Sequence, residues 1–482
     1  MKTKKRIVIE SFANFDKETA MSVEKFYNYK PTKVLSNSLG VKLAGFPKTK
    51  TNMEEYNLNI AGADLTKVKG VTYFKQYFPR TGITEYRILI YGDDKKEYLN
   101  QLFYQDPNIY WLYNMEFNSA PISLAFKQND SDAIILSSSD KMLIWKTQYS
   151  PYEVKNAPII TSMCMNDGVL FCTIKEPAFK IWYALDLDAE NIGNISANSG
   201  YISLEDDLGY ARKIVCFNQD VYVFRDYGIT KINYVKNNIS VSQVYQSSTK
   251  IFTETVSMGA NAIMFMTVEG VYQFNGVKVT HSGIDIGEML SISNDSACAS
   301  TLGNKYYLAL RMNFKDDKKM LCETGEYVNN ALIVVDLDDY SYQIVRGVDI
   351  GSLLPVKTPI FEKMLVTFNT VHEACLGEIS PTSKCFDEPL PKFWASNELF
   401  AEPETRMITK LKVDADQNVK FNLKYDGKNT SFTTYTSGIN EFCFKTICKN
   451  LAIEVSSNEQ TAQVKKVMID YYEYWFIVVE KV

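Results

Sequence analysis

Arginine, histidine and long apolar runs are what this sequence has least of. Only eight of its 52 basic residues are Arg, and only two of its 482 residues, His281 and His372, are His. Few Arg means few planar forks for bidentate grip on phosphate or carboxylate, and two His leave little from which to build a hydrolytic triad. No stretch reaches 18 apolar residues, and the basic start MKTKKRIVIESF has its apolar run cut short at Glu10. The expectation is a chain with neither signal peptide nor transmembrane helix, made in a cytoplasm. The nine cysteines (Cys164, Cys172, Cys216, Cys298, Cys322, Cys375, Cys385, Cys443 and Cys448) include no CxxC pair and are odd in number. They read as small buried hydrophobes in a reducing compartment. With 52 basic and 57 acidic residues interspersed, net −5, no basic face is on offer to displace counterions from a nucleic acid, which argues against a dedicated nucleic-acid binder.

What is present points to strands. The chain is 46% hydrophobic and 13% aromatic, with 31 Tyr and 27 Phe, enough to build cores and biased toward side chains that suit a pleated surface. The clearest local signal is Val268–Gly283, where Val271, Gln273, Val277 and Val279 bracket Asn275-Gly276, a dipeptide that supplies the two positive φ values of a type I′ hairpin. From about Gly70 onward, short strands alternate with polar turns in units that begin near Val71, Ile122, Ile159, Tyr210, Thr253, Leu290 and Leu353. A repeat of about 40 to 50 residues made only of hairpin-linked strands is the signature of a β-propeller, here six- or seven-bladed. A pair of β-sandwiches is the competing architecture, but no Pro/Gly/Ser-rich linker interrupts Val71 to Cys375.

Three prolines fall between Ser380 and Pro391, marking the best domain boundary. Beyond it, Val419, Phe421 and Leu423 alternate with Lys420, Asn422 and Lys424, and Leu451, Ile453, Val455 and Val467, Ile469, Tyr471 repeat the pattern. One buried and one solvated face per strand is the requirement of an antiparallel sandwich. The expected division is an N-terminal arm over 1–66, with a strand at Arg6–Glu10 and helical character from Asp16 to Phe26, a propeller over 67–385 and a C-terminal β-sandwich over 386–482.

No residues are nominated as catalytic, cofactor-binding or metal-binding. His281 has no Ser or Asp at triad spacing, so a structural role is expected. His372, Cys375 and Cys385 lack the close ligand pair and fourth ligand of a structural zinc site. Asp414, Asp416 and Asn418 begin like a calcium loop, but Val419 stands at the glycine position and Tyr425 at the bidentate Glu. They read as a polar turn, as do Asp186, Asp188, Glu190 and Asp336, Asp338, Asp339. Trp111, Trp145 and Trp182 are blade core or, if exposed, platforms for sugars. No carboxylate pair stands out for a glycosidase.

Ser138, Asp140 and Trp145 resemble the Asp-box of sialidase-type propellers, a structural turn, with Met142 at its Gly and Ile144 at its Thr. A broader pattern lies in Gly270-Val271-Tyr272-Gln273-Phe274-Asn275-Gly276, in Gly303 to Leu310 and in Ala331 to Leu337. It continues in Trp394-Ala395-Ser396, Lys410 to Val413 and Val467 to Tyr471, and in the arm from Tyr27-Asn28-Tyr29 to Gly45. Together these segments resemble bacteriophage virion proteins of the tail-nozzle or tail-hub type, over most of the chain. One departure is that Tyr340 and Tyr342 stand where a Trp usually follows the Asp-Leu turn. The resemblance implies a non-enzymatic structural protein of the virion, a homo-oligomeric ring around the DNA exit channel that docks onto neck and other tail proteins, without cofactors, sequence-specific nucleic-acid binding or membrane insertion. The alternatives are a receptor- or carbohydrate-binding propeller and a propeller glycosidase.

Overall fold

In a computed structural model of the chain, the described residues are 3–13, 22–47, 53–55, 65–102, 110–128, 131–146, 150–185, 199–235, 238–316, 319–400 and 404–473. The chain divides into two compact units, one of residues 43–341 and 349–378, the other of residues 1–42, 342–348 and 379–482.

The larger unit is a succession of antiparallel sheets laid down in sequence order. Blade 1 runs from Val68–Phe78 through Ile83–Gly92 and Lys96–Leu102 to Tyr110–Glu116. Blades 2 to 5 begin at Ile122, Ile160, Ala211 and Ile251, again with four strands each. Blade 6 is built on Cys298–Leu302, Lys305–Leu310 and Ala331–Asp336, and blade 7 on Ile350–Lys357 and Glu362–Phe368. The first strands of successive blades lie against one another, and that of blade 7 lies against that of blade 1. The sheets therefore close into a ring: a β-propeller of seven blades. Six of the seven expected starts fall within three residues of an observed first strand; the expected Leu290 is displaced to Cys298 because a 3-10 turn at Gly287–Met289 and an isolated bridge from Leu290 to Met312 come first.

The cores lie between blades. Phe74, Leu89 and Met115 of blade 1 pack on Ile134, Leu136 and Trp145 of blade 2, and Phe171 and Ile181 of blade 3 pack on Ile214 and Val223 of blade 4. The ring is shut by Val68, Ile88 and Ile90 packed on Val356, Leu365 and Leu376, reinforced by Ala44 N–H to Leu376 O at 2.9 Å and Val68 N–H to Glu373 O at 2.8 Å. Central strands are apolar on both sides for this reason, as in Val169–Ile174 and Ile263–Thr267, where every residue is buried.

The Asn275-Gly276 hairpin forms, but not as type I′. Gly276 alone has positive φ, at +92°, Phe274 pairs with Val279, and the Asn275 side chain accepts the N–H groups of Val277 and Lys278 at 3.0 and 2.9 Å. An Asx-type cap thus replaces the second left-handed residue and the loop has four residues instead of two.

The smaller unit is a β-sandwich. Its first sheet has the order Tyr29–Pro31, Leu35–Asn37, Val464–Glu473, Arg406–Ala415, Gly438–Cys448, with Thr3–Ile9 also on Val464–Glu473. Its second has the order Val23–Tyr27, Lys392–Ser396, Ala452–Ser457, Lys420–Tyr425, Lys428–Thr433. The alternation expected here is present: Val419, Phe421, Leu423, Leu451, Ile453, Val455, Val467 and Ile469 are all fully buried.

The expected boundaries at 66 and 385 need correction. Residues 3–9 and 22–42 are no separate arm; they belong to the sandwich unit, with Ile7 opposite Ile469 and Phe26 opposite Trp394. Residues 23–26, expected as helical, belong to the strand Val23–Tyr27, because its register with Lys392–Ser396 buries Val23, Phe26 and Tyr27; residues 16–21 of the expected helix lie outside the described residues. The turn after it is made by Asn28, at φ +57°, whose buried amide bonds Arg346 N–H at 2.7 Å, Arg346 O at 3.1 Å and Pro391 O at 2.8 Å.

Candidate interaction site

The residues weighed from sequence take up structural positions. His281 meets Tyr272 edge-on at 5.2 Å, and its Nδ1 accepts the Gly283 N–H at 3.0 Å. His372 lies edge-on to Phe368 at 5.9 Å and its carbonyl closes a turn on Cys375. Asp336 and Asp338 both accept from Asn304, Asp339 accepts the Ser341 N–H, and Asp416 accepts the Gln463 N–H at 2.9 Å. Asp186, Asp188 and Glu190 lie outside the described residues. Among the described residues, no three His, Cys, Asp or Glu converge as a metal would require.

The Asp-box-like turn is a working turn. Asp140 accepts from the Ser138 hydroxyl and from the Asn118 N–H. Burial pushes its carboxyl up, but these hydrogen bonds and Lys141 outweigh that and hold it below the usual carboxylate range. Of the three tryptophans proposed as platforms, Trp145 and Trp182 are core, at 7% and 3% exposure. Trp111 is half-buried, with Tyr113, 73% exposed, at 4.4 Å and the Lys96 ammonium 4.5 Å over its ring. Residues two apart on a strand share a face, so Trp111 and Tyr113 form one aromatic shelf on the last strand of blade 1.

One titratable group in the propeller stands out. Glu97 is 1% exposed in a narrow gap lined by Gly70, Thr72, Tyr91, Pro121 and Leu136, and its Oε1 has no hydrogen-bond partner among the described residues. Burial raises its pKa well above the usual value. A carboxyl that is neutral when folded and ionised when unfolded contributes stability below its unfolded pKa and loses it as pH rises toward the folded one. Glu97→Gln is therefore expected to flatten the fall in melting temperature as pH rises above the usual carboxylate range; an unchanged pH profile would refute the assignment.

The sandwich carries an open edge. Strand Gly438–Cys448 pairs with Arg406–Ala415 on one side and is the last strand of its sheet. Along it Ile439, Glu441, Cys443, Lys445 and Ile447 are exposed, with Ile439 at 61% and Ile447 at 59%. On its other face Phe442 and Phe444 each lie 5.0 Å from Phe432. Glu441 pairs with Lys412 at 2.7 Å and Lys410 at 2.9 Å, and these two ammonium groups hold its carboxyl down to about 2. Beside the strand a cleft of about 450 Å³ is lined by Lys4, Met407, Thr409, Lys410, Lys445, Asp470 and Tyr472. Its one carboxylate, Asp470, is gripped by Arg6 at 2.5 and 3.1 Å, which keeps it ionised below the usual range. The surface is thus an apolar and charged edge suited to protein contact. The outward Ile439 and Ile447 were a signal in the sequence: a strand apolar on both faces where only one is buried.

No family model matches the chain, and no curated protein matches it. Among solved structures, it is similar to the N-terminal part of BBS1 crystallised in complex with ARL6, with 10% identity over 67% of this chain and 93% of that one and a TM-score of 0.40. The N-terminal domain of Nup159 matches at 6% identity over 71% and 95%, TM-score 0.37. Hsv2 of Kluyveromyces lactis matches at 10% identity over 54% and 82%, TM-score 0.33. At such scores the propeller assignment rests on the blade order and ring closure described above.

Proposed function

We propose that this β-propeller and β-sandwich protein is a structural docking component of a bacteriophage virion tail, a nozzle- or hub-like subunit that binds other tail and neck proteins. The observation that supports a docking role is the exposed edge Gly438–Cys448, eleven residues long, with Ile439, Cys443 and Ile447 turned to solvent. An edge strand of that length and apolar content, paired on one side only, is an adhesive element unless something covers it. The sequence pattern from Gly270 to Leu337 and from Trp394 to Tyr471 supports the virion setting. A ring around the DNA exit channel would further require two different mutually complementary surfaces per subunit. The test is mass spectrometry of gradient-purified phage particles from a host carrying the gene. Peptides of this chain in fixed ratio to the other tail proteins are expected; particles of full infectivity without it would sink the reading.

A second reading, binding of glycans on a receptor, is favoured by one observation, the shelf of Trp111 and Tyr113 beside Lys96. Aromatic faces stack on the apolar faces of sugars. If it holds, a glycan array gives signals that fall at least tenfold in Trp111→Ala with Tyr113→Ala; an array without signal above background removes it.

A further inference from the structure

We propose that the edge strand Gly438–Cys448 pairs with the same strand of a second copy, antiparallel across a two-fold axis at Cys443. The proposal goes beyond the virion reading: it gives the strand on which that docking reading rests a second copy of this chain as its occupant. Its ground is a palindrome in chemistry. The solvent-side residues run Ile439, Glu441, Cys443, Lys445, Ile447. Antiparallel pairing about Cys443 sets Ile439 opposite Ile447 of the other copy, Glu441 opposite its Lys445, and Cys443 opposite its own equivalent. On the opposite face Phe442 meets Phe444. The outward pairs are then apolar with apolar, acid with base and thiol with thiol, and on the other face aromatic meets aromatic and Asn440 meets Thr446, combinations that stabilise antiparallel strands. A one-residue slip would break all of them.

Three further observations agree. The strand has a single sheet neighbour among the described residues, so a row of backbone donors and acceptors faces outward for pairing. Lys445 has no ion-pair partner among the described residues, whereas Glu441 already has two; the contact across the axis brings Lys445 a carboxylate. Cys443 is the exposed one of the nine free thiols. A bulge places Phe444 and Lys445 opposite Thr409, and bulges can turn an edge away from partners. Here the alternation of exposure runs unbroken from Ile439 to Ile447, so the outward face stays continuous. Such a contact is isologous and closes at two copies. It is therefore distinct from the heterologous contacts of a ring.

The test uses the full chain. Light scattering across a concentration series is expected to show a monomer–dimer equilibrium, with Lys445→Glu raising the dissociation constant at least tenfold at unchanged melting temperature. Mild oxidation with copper phenanthroline should give a disulfide dimer that Cys443→Ser abolishes. Register is tested in the Cys443→Ser background: Ile439→Cys mixed with Ile447→Cys should crosslink, and each alone should not. A chain that stays monomeric throughout, a dimer unaffected by Lys445→Glu, or crosslinking of Ile439→Cys with itself overturns the proposal; the last two would point to another surface or another register.

Discussion

Replacing Arg225 with Ala is expected to cost about 1–3 kcal/mol of stability, the range for leaving a buried acceptor without its donor; its carboxylate partner Asp206 is half exposed and adds little. Arg225 has no exposed surface. Its Nη1 lies 2.6 Å from Asp206, its Nε donates to Gly209 O at 3.0 Å, and its Nη2 donates to Leu204 O at 2.8 Å and Gly209 O at 2.6 Å. One guanidinium thus ties the end of blade 3 to the turn that opens blade 4 by donating to the carbonyls of Leu204 and Gly209. Asp206 feels both sides of this: burial pushes its carboxyl up, and Arg225 more than offsets it, leaving it below the usual range. Because stability held by a depressed carboxylate is lost as pH falls through its folded pKa, the wild type should lose part of its advantage over Arg225→Ala in acid. Arg225→Lys should not restore it, since a single ammonium cannot span the fork. Denaturant unfolding followed by tryptophan fluorescence checks this; a loss below about 1 kcal/mol would contradict the buried-network account.

Phe274→Ala is expected to cost about 3–5 kcal/mol. The ring is fully buried between blades 4 and 5, among Phe217, Phe224, Val256 and Phe265, and stands edge-to-face on Tyr222 at 5.0 Å and 83°. Truncation leaves a cavity that neighbouring blades cannot close without breaking ring register, and removes an aromatic pair worth about 0.5–1.5 kcal/mol beyond its area. Tyr222 also donates to Gly276 O at 3.2 Å, so the loss reaches the hairpin tip. Phe274→Leu should cost less, about 1–2 kcal/mol, because most of the volume remains. An unchanged melting temperature in Phe274→Ala would mean that blades 4 and 5 do not pack through this ring.

Much of the propeller was legible residue by residue. Starts such as Ile122, Ile160 and Ala211 were marked by β-branched and aromatic runs between polar turns, and the buried face of Val419, Phe421 and Leu423 by strict alternation. Less of the interaction surface was legible. Trp145 and Trp182 look like any other strand tryptophan in sequence, and only the depth of their packing separates them from Trp111, which lies half-buried against the core between blades 1 and 7. The Asn275-Gly276 turn was foreseen, but its type was decided by the Asn275 side chain competing for backbone donors.

By itself the sequence determined the all-β class, the strand period and the approximate start of nearly every blade. These follow from the pleat, a local property that writes itself into neighbouring residues. Only the tertiary structure decided that seven sheets close on one another, that Thr3–Ile9 pairs with Val464–Glu473 more than 450 residues away, and that Gly438–Cys448 is left as an edge. Pairing partners are chosen by register and burial across the whole chain, and a strand that ends a sheet has the same local alternation as one in its middle.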